Sequence, residues 1–503
     1  MTEIVTELRR HLGELTDLRN TVQLLQWDQQ TMMPPRGAEL RADELGTVQR
    51  ILHQSFVSAQ TGRLLDDAED ECATVPPDSD EARLISVVRR RWEKARRVPS
   101  ELAAEMARAA STGQEAWVGA RAHSDFAGFL PHLRRGLELK HRYIECFDGY
   151  GYDNAYDVLL DDFEPGLGSA EVALLFAELK AELVPLIAEV SERGDAVDDS
   201  CLHGTFPIAG QRRLVTDVVA RMGFEPAGWR LDDTVHPFAT SLGSTDVRIT
   251  TRWDESFLPM GLFGAMHECG HGLYEAGIAP SLRRTPLGSG EALGLHESQS
   301  RLWENMVGRG RPFADYVAPR IAEIFGASRS GPDPEGFYRA VNRVHPTFIR
   351  VEADEATYGL HIILRFELEQ ELIEGRIAVE DLPEVWNERF REYFGLDVPD
   401  DARGVLQDVH WAAGLIGYFP TYAIGNLVAG QLWRRLRDDL PDLDAQISAG
   451  DLTELREWLR EHVHRHGSKW GANEVLERVT GAPITVAPFI DYLKGKLSGV
   501  YGV

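Results

Sequence analysis

The sequence predicts a mainly helical protein with one small antiparallel β-sheet. Along most of the chain, apolar residues recur at intervals of three and four, which is the spacing of a helix with one buried face. One stretch, residues 236–253, instead alternates apolar and polar residues as a strand does. Because 43% of the 503 residues are hydrophobic, the chain can bury a large core. We expect a single domain over residues 1–503, with a helical part at about 1–230 and a second part at about 231–503.

The first predicted element is a long amphipathic helix. Its apolar stripe consists of Ile4, Leu8, Leu12, Leu15, Leu18, Val22 and Leu25. We expect this stripe to pack on neighbouring helices, and a coiled-coil partner is the alternative. A proline-rich break follows at Met32–Pro35. Further helical segments are predicted at about 37–60, 80–122, 128–148, 170–193 and 210–222.

The alternating stretch contains two short runs on either side of Leu242, Gly243 and Ser244. The second run, Val247–Thr250, is rich in β-branched residues. This pattern predicts an antiparallel hairpin. Because the hairpin directly precedes a helix that carries two histidines, it could form one wall of an active-site cleft.

Charge and cysteine content exclude several classes of protein. The chain has 53 Lys and Arg against 80 Asp and Glu, a net charge of −27. Nucleic acid is therefore not expected as a partner, because phosphate binding needs a basic face. The four cysteines are far apart and form no CxxC, which is typical of a reducing compartment. With no signal peptide and no run of about 18 apolar residues, we expect a cytoplasmic protein without a membrane span.

The predicted helix between Pro259 and Gly277 contains the pattern HExxH, formed by His267, Glu268 and His271. Residues four apart lie on the same helix face, so both imidazoles can reach one metal ion. Glu268 is rotated aside and can act on a water molecule without taking a coordination position. The pattern is typical of zinc metallopeptidases, and the alternative is two ordinary histidines on a helix.

A catalytic zinc site needs a third protein ligand. The metzincin class is excluded, because its motif requires Gly and His where this chain has Tyr274 and Gly277. A carboxylate further along the chain is then expected. Glu291 and Glu297 are both candidates, and spacing alone does not choose between them.

Downstream of HExxH, the segment His296–Gln299 reads HESQ. Its separation from HExxH resembles that in the thermostable metallocarboxypeptidase family, the M32 peptidases. Other segments resemble family motifs in the same order: Trp27–Pro34, Asp246–Thr250, Ile349–Asp354, Gly404–Trp411 and His464–Lys469. The resemblance spans essentially the whole chain, and no motif position departs from the family pattern.

This resemblance implies a helical body with a deep active-site groove, similar to neurolysin and angiotensin-converting enzyme. It also implies a homodimer that acts on peptides and removes single C-terminal residues with broad specificity. The implied metal ligands are His267, His271 and Glu297, which would hold one Zn²⁺, or Co²⁺ as a substitute. Glu291 remains the rival ligand. Glu268 is the expected general base.

The resemblance also nominates residues that bind the substrate. A carboxypeptidase must recognise a free terminal carboxylate, and a guanidinium does so with paired hydrogen bonds. Arg350 is nominated for this role, against the alternative of an ordinary ion pair. Arg248 could shape the groove near the metal, and a structural pair between Asp246 and Arg248 is equally compatible with the sequence.

The tetrahedral intermediate of peptide hydrolysis needs a hydrogen-bond donor in addition to the metal. By resemblance to related peptidases, we expect this donor from His410 and Tyr422, with Tyr418 close behind. Core aromatic packing is the alternative for each tyrosine. Two other features are read as structural: the histidines at 462, 464 and 466, and Cys269, expected to be a small buried residue.

Two other functions are compatible with the motifs. The first is an oligopeptidase that cleaves inside short peptides with the same zinc site and needs no carboxylate-binding arginine. The second, from a different class, is a non-catalytic helical binding protein that carries HExxH by chance. The presence of Glu268 together with three ligand types favours an enzyme.

Overall fold

A computed structural model describes residues 3–193, 196–290, 292–326 and 333–502. It confirms the mainly helical fold with one small sheet. The helices of the described part are α1 (Glu3–Thr31), α2 (Ala38–Phe56), α3 (Ala59–Cys72), α4 (Asp80–Arg97), α5 (Ser100–His123), α6 (Phe126–Glu145), α7 (Ala155–Leu160), α8 (Ser169–Ser191), α9 (Ile208–Met222), α10 (Pro259–Gly277), α11 (Leu293–Arg301), α12 (Arg311–Phe325), α13 (Pro334–Val341), α14 (Glu355–Ile373), α15 (Leu382–Phe394), α16 (Pro420–Asp439), α17 (Leu443–Ala449), α18 (Thr453–His462), α19 (Ala472–Thr480) and α20 (Ala487–Tyr501).

Two of the predicted helical segments are interrupted by a helix boundary. The segment 37–60 covers α2 and reaches only the start of α3, where the Ser58 side chain caps α3 by accepting a hydrogen bond from the Thr61 N–H at 3.3 Å. The segment 80–122 divides at Val98, whose backbone is extended. The residue before a proline is disfavoured in helical conformation, and Pro99 follows. All the predicted segments lie on helices, but these two interruptions, most of α3 and the short helix α7 were not predicted.

The sheet has three strands, β1 (Trp229–Asp233), β2 (Ala239–Gly243) and β3 (Asp246–Thr251), in the order β1-β3-β2. Strands β2 and β3 pair antiparallel, which confirms the predicted hairpin. Strand β1 pairs parallel with β3 and was not predicted, so the sheet is mixed. β2 and β3 both contact α10, the helix with the HExxH pattern.

The apolar residues of α1 pack inside the chain. Leu8, Leu12 and Leu15 join residues of α3 and α4 in a small core that also includes Ile278 and Leu282, just after α10. This packing agrees with the prediction that the stripe contacts neighbouring helices. A second, much larger core joins most of the remaining helices and the sheet.

The large core brings three helices together around the HExxH pattern. α11 packs along α16 and also contacts α10. Directly after α11 the chain continues as a π-helical turn, Leu302–Val307. Such turns are rare and frequently occur at functional sites, because they redirect the side chains that follow. In the described part of the chain, no helix combines the length and the apolar character needed to cross a bilayer.

Candidate active site

Three potential metal ligands converge where α10 meets α11. His267 and His271 lie one turn apart on α10, and Glu297 lies on α11. The Oε2 atom of Glu297 is 3.8 Å from His267 Nε2 and 3.3 Å from His271 Nε2. One ligand atom from each residue lies within 4.8 Å of the others, so the set could hold a single ion. Glu291, the alternative third ligand, lies outside the described residues.

Partners around the two histidines fit metal binding. His267 Nδ1 is 2.8 Å from Glu304 Oε2, and a carboxylate can only accept this hydrogen bond. His271 Nδ1 is 2.6 Å from His296 Nδ1, and His296 Nε2 is in turn 3.0 Å from Glu275 Oε1. With N–H on Nδ1 of both ligands, each Nε2 keeps its lone pair for a metal. Such partners orient the imidazoles and fix their tautomers.

The two oxygens of the Glu297 carboxylate face different partners. Its Oε1 accepts a hydrogen bond from Arg301 Nε at 2.7 Å, which leaves Oε2 facing the imidazoles. Burial would raise the pKa of this carboxyl, but the charges of Arg301 and His267 hold the pKa far below its usual range. Glu297 therefore stays ionised, as a metal ligand must.

Two glycines allow the helices to approach this closely. A Cβ atom at Gly270, between the two histidines, would lie 2.7 Å from the backbone oxygen of Gln299 on α11. A Cβ at Gly425 on α16 would lie 2.8 Å from Glu297 Cγ. Both distances are too short for a real contact, so any side chain here would push α11 away.

The N-terminus of α11 is held by the buried carboxyl group of Glu164. The Gly294 N–H donates a hydrogen bond to Glu164, and the Leu293 N–H donates to the Phe163 carbonyl at 3.0 Å. Otherwise unpaired N–H groups at a helix start favour such an acceptor. Burial raises the pKa of Glu164 to about 8, so its proton is retained near neutral pH.

Glu268 has the properties of a general base. Its side chain is only 7% exposed, and burial together with the nearby charge of Glu297 raises its pKa to about 7. A base with a pKa near the working pH can both accept and return a proton. It neighbours His267 in sequence but is not part of the three-ligand set.

Arg350 is buried and held by two neighbours. Its Nε and Nη2 lie 3.1 and 2.8 Å from Asp408 Oδ1, and its Nη1 donates to the Tyr358 hydroxyl at 2.9 Å. Asp408 Oδ2 accepts a further hydrogen bond from Arg365 Nε at 2.7 Å. The guanidinium has five N–H groups, so these contacts use three and leave one on each terminal nitrogen.

Tyr358 connects this arginine to the metal ligands. Its hydroxyl accepts the hydrogen bond from Arg350, and the Arg301 guanidinium lies 4.3 Å from the centre of its ring. Arg301 in turn binds Glu297. One continuous set of contacts therefore fixes Arg350 relative to Glu297.

His410, Tyr418 and Tyr422 form an aromatic cluster beside Arg350. His410 Nε2 is 3.4 Å from the Tyr422 hydroxyl, and the ring centres of Tyr418 and Tyr422 are 5.4 Å apart. The Arg350 guanidinium lies 5.1 Å from the Tyr422 ring centre. Burial lowers the pKa of His410 to about 4, so its ring is neutral near pH 7. Tyr418 also packs against Phe163, which agrees with the packing alternative without excluding a second role.

Known proteins of one family are similar to this chain over nearly its whole length. The family model described as "Carboxypeptidase Taq (M32) metallopeptidase" matches residues 7–497. The chain belongs to the M32 metallocarboxypeptidase family. "Thermostable carboxypeptidase 1" of Thermus thermophilus is 41% identical over 95% of each chain, and "Carboxypeptidase 1" of Bacillus subtilis is 37% identical over 97%. The crystal structure of an M32 carboxypeptidase from Deinococcus radiodurans R1 superposes with a TM-score of 0.96 at 38% identity, covering all of both chains.

Membership of the M32 family favours a metallocarboxypeptidase over the oligopeptidase and binding-protein alternatives. The similarity to the family covers nearly the whole chain, so the motifs belong to one continuous match and not to a short matching segment. The roles of the individual site residues remain predictions.

The M32 chain contains a supporting residue that was not predicted, Glu369 on α14. Its buried carboxylate accepts hydrogen bonds from Trp411 Nε1 at 2.7 Å, the Gly417 N–H at 3.0 Å and the Tyr156 hydroxyl at 2.6 Å. Trp411 follows His410 and Gly417 precedes Tyr418, so one carboxylate fixes both ends of this segment. Glu367 and Glu371 flank Glu369 at spacings of two, so no local signal in the sequence distinguishes the buried glutamate from its less buried neighbours.

In this M32 protein Arg248 forms an ion pair with Asp246, which was the structural alternative to a role in the groove. Its Nε and Nη2 each lie 2.9 Å from Asp246, and its guanidinium lies 4.4 Å from the Trp27 ring centre. Arg230 on β1 pairs with Asp232 and likewise lies 4.5 Å from the Trp27 ring centre. Arg248 thus helps to dock α1 on the sheet, and its substrate contact remains a prediction.

The two features read as structural behave accordingly. His464 is buried, and its Nε2–H donates to Gln299 Oε1 of the HESQ segment at 2.8 Å. His462 and His466 do not join it in any metal-sized cluster of the described residues. Cys269 is fully buried, as predicted.

Proposed function

We propose that this M32 carboxypeptidase binds one Zn²⁺ through His267, His271 and Glu297 and hydrolyses the C-terminal bond of peptides. Two imidazoles and a carboxylate are a common ligand set of catalytic zinc, and Co²⁺ could replace it. When bound, the ion supplies Lewis-acid activation of a water molecule and of the scissile carbonyl. The observation that carries the proposal is the convergence of the three ligand atoms within 4.8 Å.

Glu268 moves the proton in this proposal. Its carboxylate takes a proton from the attacking water and later delivers the same proton to the leaving amine. The pKa of about 7 supports both steps, because neither the protonated nor the ionised form dominates at neutral pH.

Arg350 binds the terminal carboxylate. Its two remaining N–H groups, one on each terminal nitrogen, suit the two oxygens of a carboxylate. Asp408 and Tyr358 hold the guanidinium before the substrate arrives, which lowers the ordering cost of binding.

His410 and Tyr422 stabilise the oxyanion. The low pKa of His410, about 4, leaves a neutral ring that can orient the Tyr422 hydroxyl as a donor. Tyr418 is the alternative donor, since its ring lies in the same cluster.

Replacing Arg350 tests the proposed carboxypeptidase geometry. We expect Arg350→Ala to lower kcat/KM for free-carboxylate peptides about 100-fold or more, because a buried charge-assisted pair is lost. Hydrolysis of the same peptides with an amidated C-terminus, already slow, should change little. Equal losses on both peptides would contradict the assignment of Arg350, and would favour an internal-cleavage mode.

We also infer a homodimer. The 19-residue helix α2 has no buried residue, and Leu40 and Ile51 on it are 64% and 41% exposed. Met32, the residue directly after α1, adds a further exposed apolar side chain. A second copy of the chain would cover this apolar surface. Light scattering should give twice the chain mass of 56.3 kDa, and Leu40→Glu should reduce it.

A cytoplasmic location is the remaining proposal. All four cysteines are free, which suits a reducing compartment. Cell fractionation would test it directly.

A further inference from the structure

A cavity of about 460 Å³ lies beside His271, one of the three candidate metal ligands. His271 and His296 line it, together with residues of α1, β2 and the segment 283–290. Arg350, His410 and Tyr422 do not line it. If the terminal carboxylate binds Arg350 and the scissile bond lies at the three ligands, this cavity, which His271 lines and Arg350 does not, is space open to the rest of the peptide. The inference therefore rests on the proposed function.

The charge of this cavity is opposite to that of the whole protein. The chain has a net charge of −27, yet three arginines line the cavity: Arg19, Arg283 and Arg284. Glu275 is the only carboxylate among the described residues that line it. That carboxylate already accepts hydrogen bonds from His296 and from the Gly290 N–H. An acidic group of a peptide would thus meet positive charge here and negative charge over most of the surface.

Two neighbouring arginines differ in their partners. Arg284 forms an ion pair with Asp17, with Nε 3.0 Å and Nη2 2.5 Å from the carboxylate oxygens. Arg283 donates through Nε to the Ser244 hydroxyl at 2.8 Å. No described carboxylate lies within ion-pair distance of Arg283. The hydrogen bond to Ser244 fixes the stem of its guanidinium against the β2–β3 turn and leaves the terminal nitrogens for a ligand.

We propose that this cavity is a subsite for acidic side chains of the peptide, with Arg283 as the residue that binds the carboxylate. The side chain in question belongs to the second or third residue before the cleaved bond. The preference for acidic peptides arises because a negative charge is attracted in this cavity and repelled by the net negative charge of the rest of the protein.

Paired peptides test the proposal. The wild-type enzyme is given free-carboxylate peptides that carry Glu or Gln at the second or at the third residue before the cleaved bond. We expect kcat/KM to favour Glu about two- to fivefold at one of these positions, the range of a solvent-accessible ion pair. The preference should shrink as NaCl is raised from about 0.05 to about 0.5 M, because salt screens exposed charges.

Variants assign the preference to a residue. In Arg283→Gln the Glu-to-Gln ratio should fall to about one, and in Arg283→Glu the enzyme should favour Lys over Gln at that position. Arg284→Gln is the matched control, since Asp17 already neutralises that charge, and the ratio should persist.

The proposal would be overturned if wild-type kcat/KM were equal for Glu and Gln peptides at both positions. It would also be overturned if the preference for Glu persisted in Arg283→Gln. Failure of the carboxypeptidase function looks different: wild-type enzyme supplied with zinc would then cleave no free-carboxylate peptide at all, and both proposals would fall.

Discussion

Each of the three candidate ligands has one atom committed to a protein partner and one atom left for a metal. Glu304 and His296 each bind a ligand Nδ1, and Arg301 binds Glu297 Oε1. A ligand that is oriented before the metal arrives loses little freedom on binding. Metal affinity therefore depends on these partners as well as on the ligands.

At the residue scale, replacing Glu268 distinguishes the binding of the metal from the proton transfer in catalysis. We expect Glu268→Gln to retain one zinc per chain, because Glu268 is not in the ligand set. Turnover should fall about 10²- to 10⁴-fold, the usual contribution of general base catalysis. Metal analysis and kcat on the same sample provide the measurement. A variant that kept nearly normal turnover would rule out this role.

The ligands were predictable from the sequence because HExxH is a local pattern with a fixed helical spacing. Their partners were not, because tertiary packing brings them in. A weaker signal existed on α11 and its continuation, where Glu297, Arg301 and Glu304 follow each other at helical spacings of four and three. That spacing puts a carboxylate, a guanidinium and a second carboxylate on one face.

At the scale of elements, the site depends on how closely α10 and α11 cross. Gly270 sits at the crossing, with the backbone of Gln299 and Ser300 directly opposite. The hairpin of β2 and β3 was predictable from local alternation. Strand β1 was not, because it pairs parallel with β3 and not with the next strand β2, so no hairpin turn marks it in the sequence.

Gly270→Ala tests the crossing. The added Cβ would lie 2.7 Å from the Gln299 oxygen, so α11 must shift and carry Glu297 with it. We expect about 1–3 kcal/mol lower unfolding free energy and weaker zinc binding. Gly136→Ala on α6 is the matched control, since nothing lies within 4 Å of its Cβ position. There the substitution should stabilise the protein slightly. Equal behaviour of the two variants would contradict a tight crossing.

At the scale of the whole molecule, residues from distant parts of the chain hold the site together. Glu164 holds the start of α11, and Glu369 holds the segment that carries His410. Neither carboxylate has the spacing of a motif, so neither could be predicted. The overall helical fold could be, because periodicity is repeated along the entire chain.

Glu164 also predicts a pH dependence of stability. Its pKa is raised to about 8 in the folded protein from an ordinary value of 4.5, so the folded state keeps a proton that the unfolded state releases. This contribution is fully present below about pH 4.5 and is lost as the pH rises towards 8. Thermal unfolding of chelator-treated protein between about pH 5 and 8 should show a decline that is smaller in Glu164→Gln. Parallel profiles for the two proteins would contradict this assignment.

The most direct test of the metal centre is X-ray absorption at the zinc edge on protein that contains one equivalent of zinc. Two imidazole nitrogens at about 2.0–2.1 Å and one carboxylate oxygen at about 2.0–2.2 Å are expected in the first coordination sphere. The carboxylate contribution should disappear in Glu297→Ala. A spectrum without imidazole scattering, or one that is unchanged in that variant, would contradict the assignment of His267, His271 and Glu297.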